Sequence, residues 1–296
     1  MEPMPHAAPC PDSSALRSPK PLRGYSDQPA APNRTPIQVA ICGVYGRMGQ
    51  EMVDGLTREG GIVIVGGCDP RVGDDGITPT AFPTAPSLSE LLEMVTADVA
   101  VDFTTAEAAR ANARVALEHA VPIVIGTTGL TDADLRTIDD LAREAGVAAL
   151  VAPNFAIGAN LLMQFAAIAS KFFDSAEIIE THHDGKVDSP SGTALLTAKG
   201  MRAARDKPFA GDHVTKHVVE HTRGGLAEDV HIHSLRMPGF VASHQVIFGG
   251  PGQSLTIRHD SIGRDSFVPG VAFAVKHIGE HVGLVYGLDR LMGITV

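Results

Sequence analysis

The chain has 296 residues, a formal net charge of -10 and 44% hydrophobic residues with few aromatics. That length allows two domains with full cores, and the negative balance argues against a nucleic-acid partner. No apolar run approaches the ~20 residues of a membrane helix, which leaves a soluble α/β protein acting on a small molecule and no membrane partner.

Residues 1–36 are rich in Pro, Ala and Ser and show no hydrophobic period, so a disordered N-terminal extension is expected there. The segment lacks the apolar core of a secretory signal, and Glu2, Asp12 and Asp27 weaken a transit-peptide reading. Cys10, Cys42 and Cys68 have no metal spacing and read as reduced thiols of a cytoplasmic protein.

Order is expected from Ile37, where Ile37, Val39 and Ile41 make a β-branched strand that runs into Gly43, Val44, Tyr45, Gly46, Arg47, Met48 and Gly49. A helix follows to about Thr57. Glycines at this strand-to-helix turn let backbone approach a pyrophosphate, with the helix N-terminus facing the anion. The spacing is G-x-x-G-x-x-G, with Tyr45 where a second glycine commonly stands. A second apolar strand, residues 62–68, ends in Asp69, whose carboxylate can accept the ribose hydroxyls of a dinucleotide.

The alternation persists, with helices expected over residues 87–95, 106–119 and 132–144 and strands over 98–103, 122–126 and 147–152. Such alternation indicates right-handed crossovers and a Rossmann-like parallel sheet covered on both faces. Ligands of these sheets bind beyond the carboxyl ends of the strands. The segments that fall there are Phe103-Thr104-Thr105, then Gly126, Thr127 and Thr128, then Ala152, Pro153, Asn154 and Phe155. Their hydroxyls, amide and backbone suit a ribose and a nicotinamide, although Gly and Thr also cap helices.

After Phe155 the pattern changes to a mixed α+β domain. A helix over about 157–173 leads to EIIETHHDGKVDSPSGTA, residues 177–194, where a short strand ends at Thr181 and releases His182 and His183. Gly185 turns the chain, Lys186 sets a cation near the two imidazoles, and Ser189, Pro190, Ser191 and Gly192 open a helix at Thr193 that offers free N–H groups to an anion. Taken singly, a His pair is also explained by solvation, and the Pro-Ser-Gly-Thr run by an ordinary cap. A metal is not expected, since no Cys or carboxylate lies at zinc spacing from the pair. Strands over 230–235, 243–248 and 254–259, separated by Pro-Gly and Gly-Gly-Pro-Gly turns, suggest antiparallel connections; His231 and His233 on one of them read as packed or solvated. A helix from Asp265 to His277 and a strand over 282–288 are expected to return to the first domain.

These blocks together resemble the 4-hydroxy-tetrahydrodipicolinate reductase (dihydrodipicolinate reductase) family. The likeness runs from about Ile37 to the C-terminus and is carried by GVYGRMG, VDFT, GTTG, APNF, HHDGKVDSPSGTA and SLRMPGF followed by QVIFGGPGQSLTIRHDS. The resemblance implies NADH- or NADPH-dependent reduction of a cyclic imine bearing two carboxylates, within lysine and diaminopimelate biosynthesis. It implies that His182 transfers the proton, that Lys186 is a second proton donor, and that His183, Gly192 and Thr193 hold the substrate. The cofactor is then expected on residues 43–48, Asp69, 126–128 and 152–155, within a domain of residues 37–155 and 264–296. Residues 156–263 would bind substrate and build a homotetramer.

Two other functions fit the cofactor half, namely another amino-acid-type dehydrogenase and a redox-sensing NAD(P)-binding protein without turnover. The HHxxKxxxPSGT block separates them, since a sensor has no need of it. For cofactor choice, Asp69 favours NADH, while Arg47 and Arg71 could meet a 2′-phosphate. Pro70 stiffens the chain and is expected to keep Arg71 from turning inward. Dual use with a modest NADH preference follows.

Overall fold

A computed structural model of the chain describes residues 35–75, 80–211 and 214–294. The expectation of a disordered extension and the placement of Cys10 lie outside the described residues.

The first half alternates as its hydrophobic pattern requires: β1 (Ile37–Cys42), α1 (Arg47–Leu56), β2 (Ile62–Cys68), β3 (Thr84–Ala85), α2 (Leu88–Met94), β4 (Val99–Asp102), α3 (Ala106–Glu118), β5 (Ile123–Ile125), α4 (Asp132–Ala145) and β6 (Ala148–Val151). Side-chain oxygens of Ser87, Thr105 and Thr131 accept the first free N–H groups of α2, α3 and α4, and Gly146 closes α4 in the left-handed conformation. Alternate residues of β1 feed two cores. Val39 and Ile41 pack with Met52, Leu56 and Val271, while Ala40 and Cys42 pack with Leu117, Ile123 and Ile125. Burial on both faces explains why these strands read as continuous apolar runs.

The second half contains α5 (Ile157–Ser170), β7 (Ser175–His182), α6 (Gly192–Ala203), β8 (Gly225–Ala227), β9 (Val230–Arg236), β10 (Ala242–Gly250), β11 (Gln253–Ser261), a 3-10 turn at Arg264–Phe267, α7 (Val268–His277), β12 (Gly283–Tyr286) and α8 (Leu288–Leu291). The tail does rejoin the first sheet, as β12 pairs in parallel with β6. The seven parallel strands run β12-β6-β5-β4-β1-β2-β3, so the order reverses at β1. A five-stranded mixed sheet, β11-β10-β7-β9-β8, packs its Ile178, Val246 and Phe248 face on α5 and α6. The Rossmann-like sheet plus mixed α+β architecture is therefore the one expected.

Several local expectations are corrected. β7 runs on to His182, α6 begins at Gly192, and Asp265 lies in the 3-10 turn before α7. The last strand stops at Tyr286 because Gly287, at φ 94, turns the chain into α8. β10 and β11 form the expected antiparallel hairpin, but β9 does not pair with β10. It lies parallel to β7, which separates the two. The Pro238-Gly239 turn therefore connects strands on opposite sides of β7.

The glycine turn after β1 is sterically exact in its demands. Gly43 has φ +79, and a methyl at Gly49 would stand 2.0 Å from the Gly43 carbonyl oxygen. Gly49→Ala is therefore expected to cost about 1–3 kcal/mol through overpacking and to move α1 off the turn. Thermal unfolding at the wild-type midpoint would contradict this.

Candidate active site

Because all seven strands of the first sheet are parallel, their carboxyl ends share one edge. The turn after β1 is tied to β2 by Gly43 N–H and Val44 N–H, which both donate to the Cys68 carbonyl (2.8 and 3.2 Å). Gly46 caps α1 without a side chain, and the first turn of α1 carries no acidic residue. The N–H groups of Arg47 and Met48 thus face outward with the positive end of the helix dipole unneutralised. Tyr45, Val72, Gly73, Asp74, Thr80, Phe82 and Thr84 line an adjoining cavity of about 280 Å³. A second cavity of about 250 Å³ lies between α3 and α4 and is spanned by the Arg110–Asp134 pair.

Asp69 is buried, and its carboxylate is already engaged. Tyr45 N–H donates to Oδ2 (3.2 Å), Arg71 N–H and Nε to Oδ1 (3.1 and 3.0 Å), and Arg71 Nη2 to Oδ2 (3.1 Å). Burial works against ionisation, but the bonds from Arg71 and the Tyr45 N–H outweigh it and hold the carboxyl below its ordinary range. Arg71 does turn inward, contrary to the expectation from Pro70. The ring fixes only its own φ and leaves the arginine side chain free to fold back.

The next strand ends are organised by Asp102, which is fully buried at the end of β4. Its Oδ1 accepts from Thr104 N–H (3.1 Å), Thr104 Oγ1 (2.8 Å) and Thr127 Oγ1 (2.8 Å), and its Oδ2 from Asn112 Nδ2 (2.7 Å). Thr127 Oγ1 also accepts from Thr104 N–H (2.8 Å). Two of the hydroxyls expected to hold ribose, those of Thr104 and Thr127, therefore donate to Asp102, and what this edge presents is exposed Thr105 and Thr128 together with backbone. Phe103 packs edge-on against buried Phe155 at 5.7 Å, and the Asn154 side chain accepts from Ala156 N–H (2.8 Å). Ala152 is buried and Pro153 exposed.

The His-Lys loop follows β7. Ile178, Glu180 and His182 share the face toward α5 and α6. His182 Nδ1–H donates to Glu180 Oε2 at 2.5 Å. Glu180 is 0% exposed, and Arg236 clamps it with Nη1 on Oε2 (3.0 Å) and Nη2 on Oε1 (2.9 Å), while Ser191 N–H reaches Oε1 (3.2 Å). Burial raises the Glu180 carboxyl, but hydrogen bonds from His182, Arg236 and Ser234 prevail and hold it at about 2. His183 is exposed, and its carbonyl accepts from Lys186 N–H (3.2 Å). The Lys186 ammonium lies on both oxygens of Asp188 (2.7 and 2.9 Å), so its partner is a carboxylate rather than the expected imidazoles. The Ser189–Pro190 peptide is cis. Ser191 Oγ accepts from Ala194 N–H, which leaves Gly192 N–H and Thr193 N–H without an intrahelical acceptor.

His233, read from the sequence as packed or solvated, is paired with an acid on the neighbouring strand. Its Nε2 meets Glu177 Oε2 at 2.7 Å, and Arg223 holds the other Glu177 oxygen. Among the described residues no group of three His, Cys, Asp or Glu is placed to hold a metal, and no helix is long and apolar enough to cross a membrane.

A doubly wound sheet with an open glycine turn, joined to a second sheet whose β7 is followed by a His-Lys loop, is the frame of a nicotinamide-dependent oxidoreductase. Two family descriptions match nearly the whole described chain: "Dihydrodipicolinate reductase, N-terminus" over residues 37–155 and "Dihydrodipicolinate reductase, C-terminus" over residues 158–292. The chain belongs to the dihydrodipicolinate reductase family. It is 44% identical over 262 residues to the 4-hydroxy-tetrahydrodipicolinate reductase of Moorella thermoacetica, covering 86% of this chain and 98% of that one. It is 42% identical over 262 residues to the enzyme of that name from Dehalococcoides mccartyi, covering 87% and 99%. A dipicolinate-bound dihydrodipicolinate reductase from Paenisporosarcina sp. TG-14 has the same fold, with TM-score 0.80, 39% identity and coverage of 86% of this chain and 99% of that one.

Glu180, Arg236 and Asp102 were not among the residues picked out from the sequence. Glu180 was legible in principle: a strand extended by one residue puts Glu180 and His182 on one face two positions apart. Arg236 was not, since it arrives through the parallel pairing of β7 and β9.

Burial pushes the neighbouring His244 imidazole down from 6.5 to about 4, with Glu180 pulling upward and His182 and His259 adding to the depression. The folded chain thus keeps His244 neutral while the unfolded chain protonates it, so stability is lost as pH falls from about 6.5 to about 4. Denaturant unfolding should show His244→Phe removing up to about 3 kcal/mol of that acid-side loss. Parallel pH profiles for the two proteins would contradict it.

Proposed function

We propose that residues 37–155 with 264–296 hold the cofactor and that the loop of residues 182–193 handles substrate and protons. The enzyme so formed reduces 4-hydroxy-tetrahydrodipicolinate to tetrahydrodipicolinate with NADH or NADPH, a step of lysine and diaminopimelate biosynthesis. The observation that best supports the site assignment is the presence in one loop of an oriented imidazole, an ammonium and an open helix start.

The cofactor's pyrophosphate fits the N–H groups at the start of α1, where Gly43 and Gly49 leave no side chain in the way. Its adenosine end fits the cavity beside Tyr45 and Asp69, and its nicotinamide end the edge formed by residues 126–128 and 152–155. When bound, the cofactor supplies the hydride. The chain must then hold a dianion and deliver one proton. Gly192 N–H, Thr193 and His183 receive the substrate carboxylates, and Lys186, drawn off Asp188 by that charge, serves as a second proton donor. His182 gives the proton to the atom that takes up the electron pair of the reduced bond.

For this assignment, His182→Gln and Lys186→Ala should each lower kcat by roughly 10²- to 10⁴-fold with the fold retained. Thr193→Val should chiefly raise KM. Near wild-type turnover in both the His182 and Lys186 variants would sink the assignment.

For cofactor choice, all four acceptor positions of Asp69 are occupied, so adenosine hydroxyls must displace Arg71, and the displaced guanidinium is then at hand for a 2′-phosphate. Dual use with a modest NADH preference follows. Asp69→Ala should weaken NADH and improve NADPH; unchanged KM for both, or a wild-type preference for NADPH beyond about a hundredfold, would refute this.

The outer face of the five-stranded sheet, with half-buried Ile179 and Ile247 and exposed Leu226 and Leu235, supports assembly through residues 156–263 into a homotetramer. Light scattering at micromolar concentration should give a tetramer, and a monomer would contradict it. A cytoplasmic location accords with Cys42 and Cys68 being free thiols.

A further inference from the structure

We infer that Glu180 is the positioning residue of the proton-transfer site: its buried carboxylate takes the Nδ1–H of His182, fixes the ring's tautomer and direction, and leaves Nε2 as the atom that exchanges a proton with substrate. This rests on the assignment of His182 as the proton-transferring residue.

The geometry is selective. The His182 side chain is 18% exposed while Glu180 beneath it is 0% exposed, so the ring edge that meets the carboxylate is the buried one. An ionised carboxylate only accepts, so the proton between the two sits on Nδ1 and the second nitrogen faces outward. The Glu180 oxygens take His182 and Arg236 on Oε2 and Arg236 and Ser191 on Oε1, with the Ser234 hydroxyl as a further donor, so no acceptor position is left open. No freedom is left for it to rotate.

Arg236 makes this arrangement usable in a reaction. Glu180 and Arg236 together are neutral, so His182 passes between cation and neutral ring without leaving an uncompensated buried anion. Arg236 also donates to the Asp188 carbonyl (2.7 Å) and lies opposite His182 in the β7–β9 register, which fastens the loop carrying Lys186 to the same carboxylate. The other groups facing the pair are Ser234 from β9, neutral His244 opposite Glu180 on β10, and His259 beyond it on β11. The Lys186–Asp188 pair closes the loop side. Among the described residues Glu180 is therefore the one anion bonded to the His182 ring.

In the transfer, the Nε2–H bond breaks and its electron pair stays on the imidazole. The proton lands on the substrate atom that receives the electron pair of the reduced double bond, and Nδ1–H stays on Glu180 throughout. Solvent returns the proton to Nε2.

A clamp that only joined β7, β9 and α6 would not control which nitrogen of His182 is protonated. With 15N-histidine, long-range proton–nitrogen NMR of the wild-type apoprotein should show neutral His182 as the Nδ1–H tautomer, its signals assigned by their loss in His182→Gln. An Nε2–H tautomer overturns the inference whether or not any Glu180 variant folds. In Glu180→Gln, Arg236 claims the amide oxygen and the NH₂ turns to Nδ1, so the tautomer should flip and kcat should fall by roughly 10²-fold with KM within about threefold. A Glu180→Gln protein with unchanged kcat and an unflipped tautomer refutes the inference. If His182→Gln loses turnover while Glu180→Gln keeps it, only this inference fails; if His182→Gln keeps turnover, the site assignment itself fails.

Discussion

A carboxylate removed from water must either take up a proton or have its lone pairs filled by donors, and Glu180 is of the second kind. Its donors come from three separate places: the end of its own strand, the parallel strand β9, and the helix cap at Ser191. Satisfying that one group therefore aligns β7 with β9 and seats the start of α6 beside His182. The open N–H groups of Gly192 and Thr193 are consequently fixed relative to the imidazole.

The cofactor half repeats the device with Asp102. There a fully buried carboxylate joins the loop after β4 to the loop after β5 through Thr104 and Thr127, and to α3 through Asn112. Phe103 is held against Phe155, so a third strand end is included. In both halves the edge that carries the candidate site is made of loops, which are the least constrained parts of a fold, and in both a buried carboxyl group supplies the constraint. Asp69 differs in being partnered by a half-exposed arginine, which suits a position where the partner has to move.

Much of this was legible in the residues. Strand and helix alternation, the glycine turn and the Ser and Thr caps are local, and each was readable within a few positions of itself. What was not readable was pairing at a distance. The Pro238-Gly239 turn suggests a hairpin, yet β7 inserts between β9 and β10 and brings Glu177 to His233 and Glu180 to Arg236. Lys186 looks from its spacing like a companion of the imidazoles, but Asp188, two residues on, supplies a closer charge. Thr104 and Thr127 look like ligand hydroxyls because the buried acid that binds them is separated from Thr127 by 25 positions. Pro70 misled in a different way, since backbone stiffness says nothing about where a long side chain folds.

The most direct measurement of the central claim is NADH or NADPH oxidation by the full chain, with 4-hydroxy-tetrahydrodipicolinate generated in situ by the preceding synthase. The account predicts a loss of reduced-cofactor absorbance that depends on that substrate and occurs with either cofactor. No substrate-dependent loss with either one would contradict it.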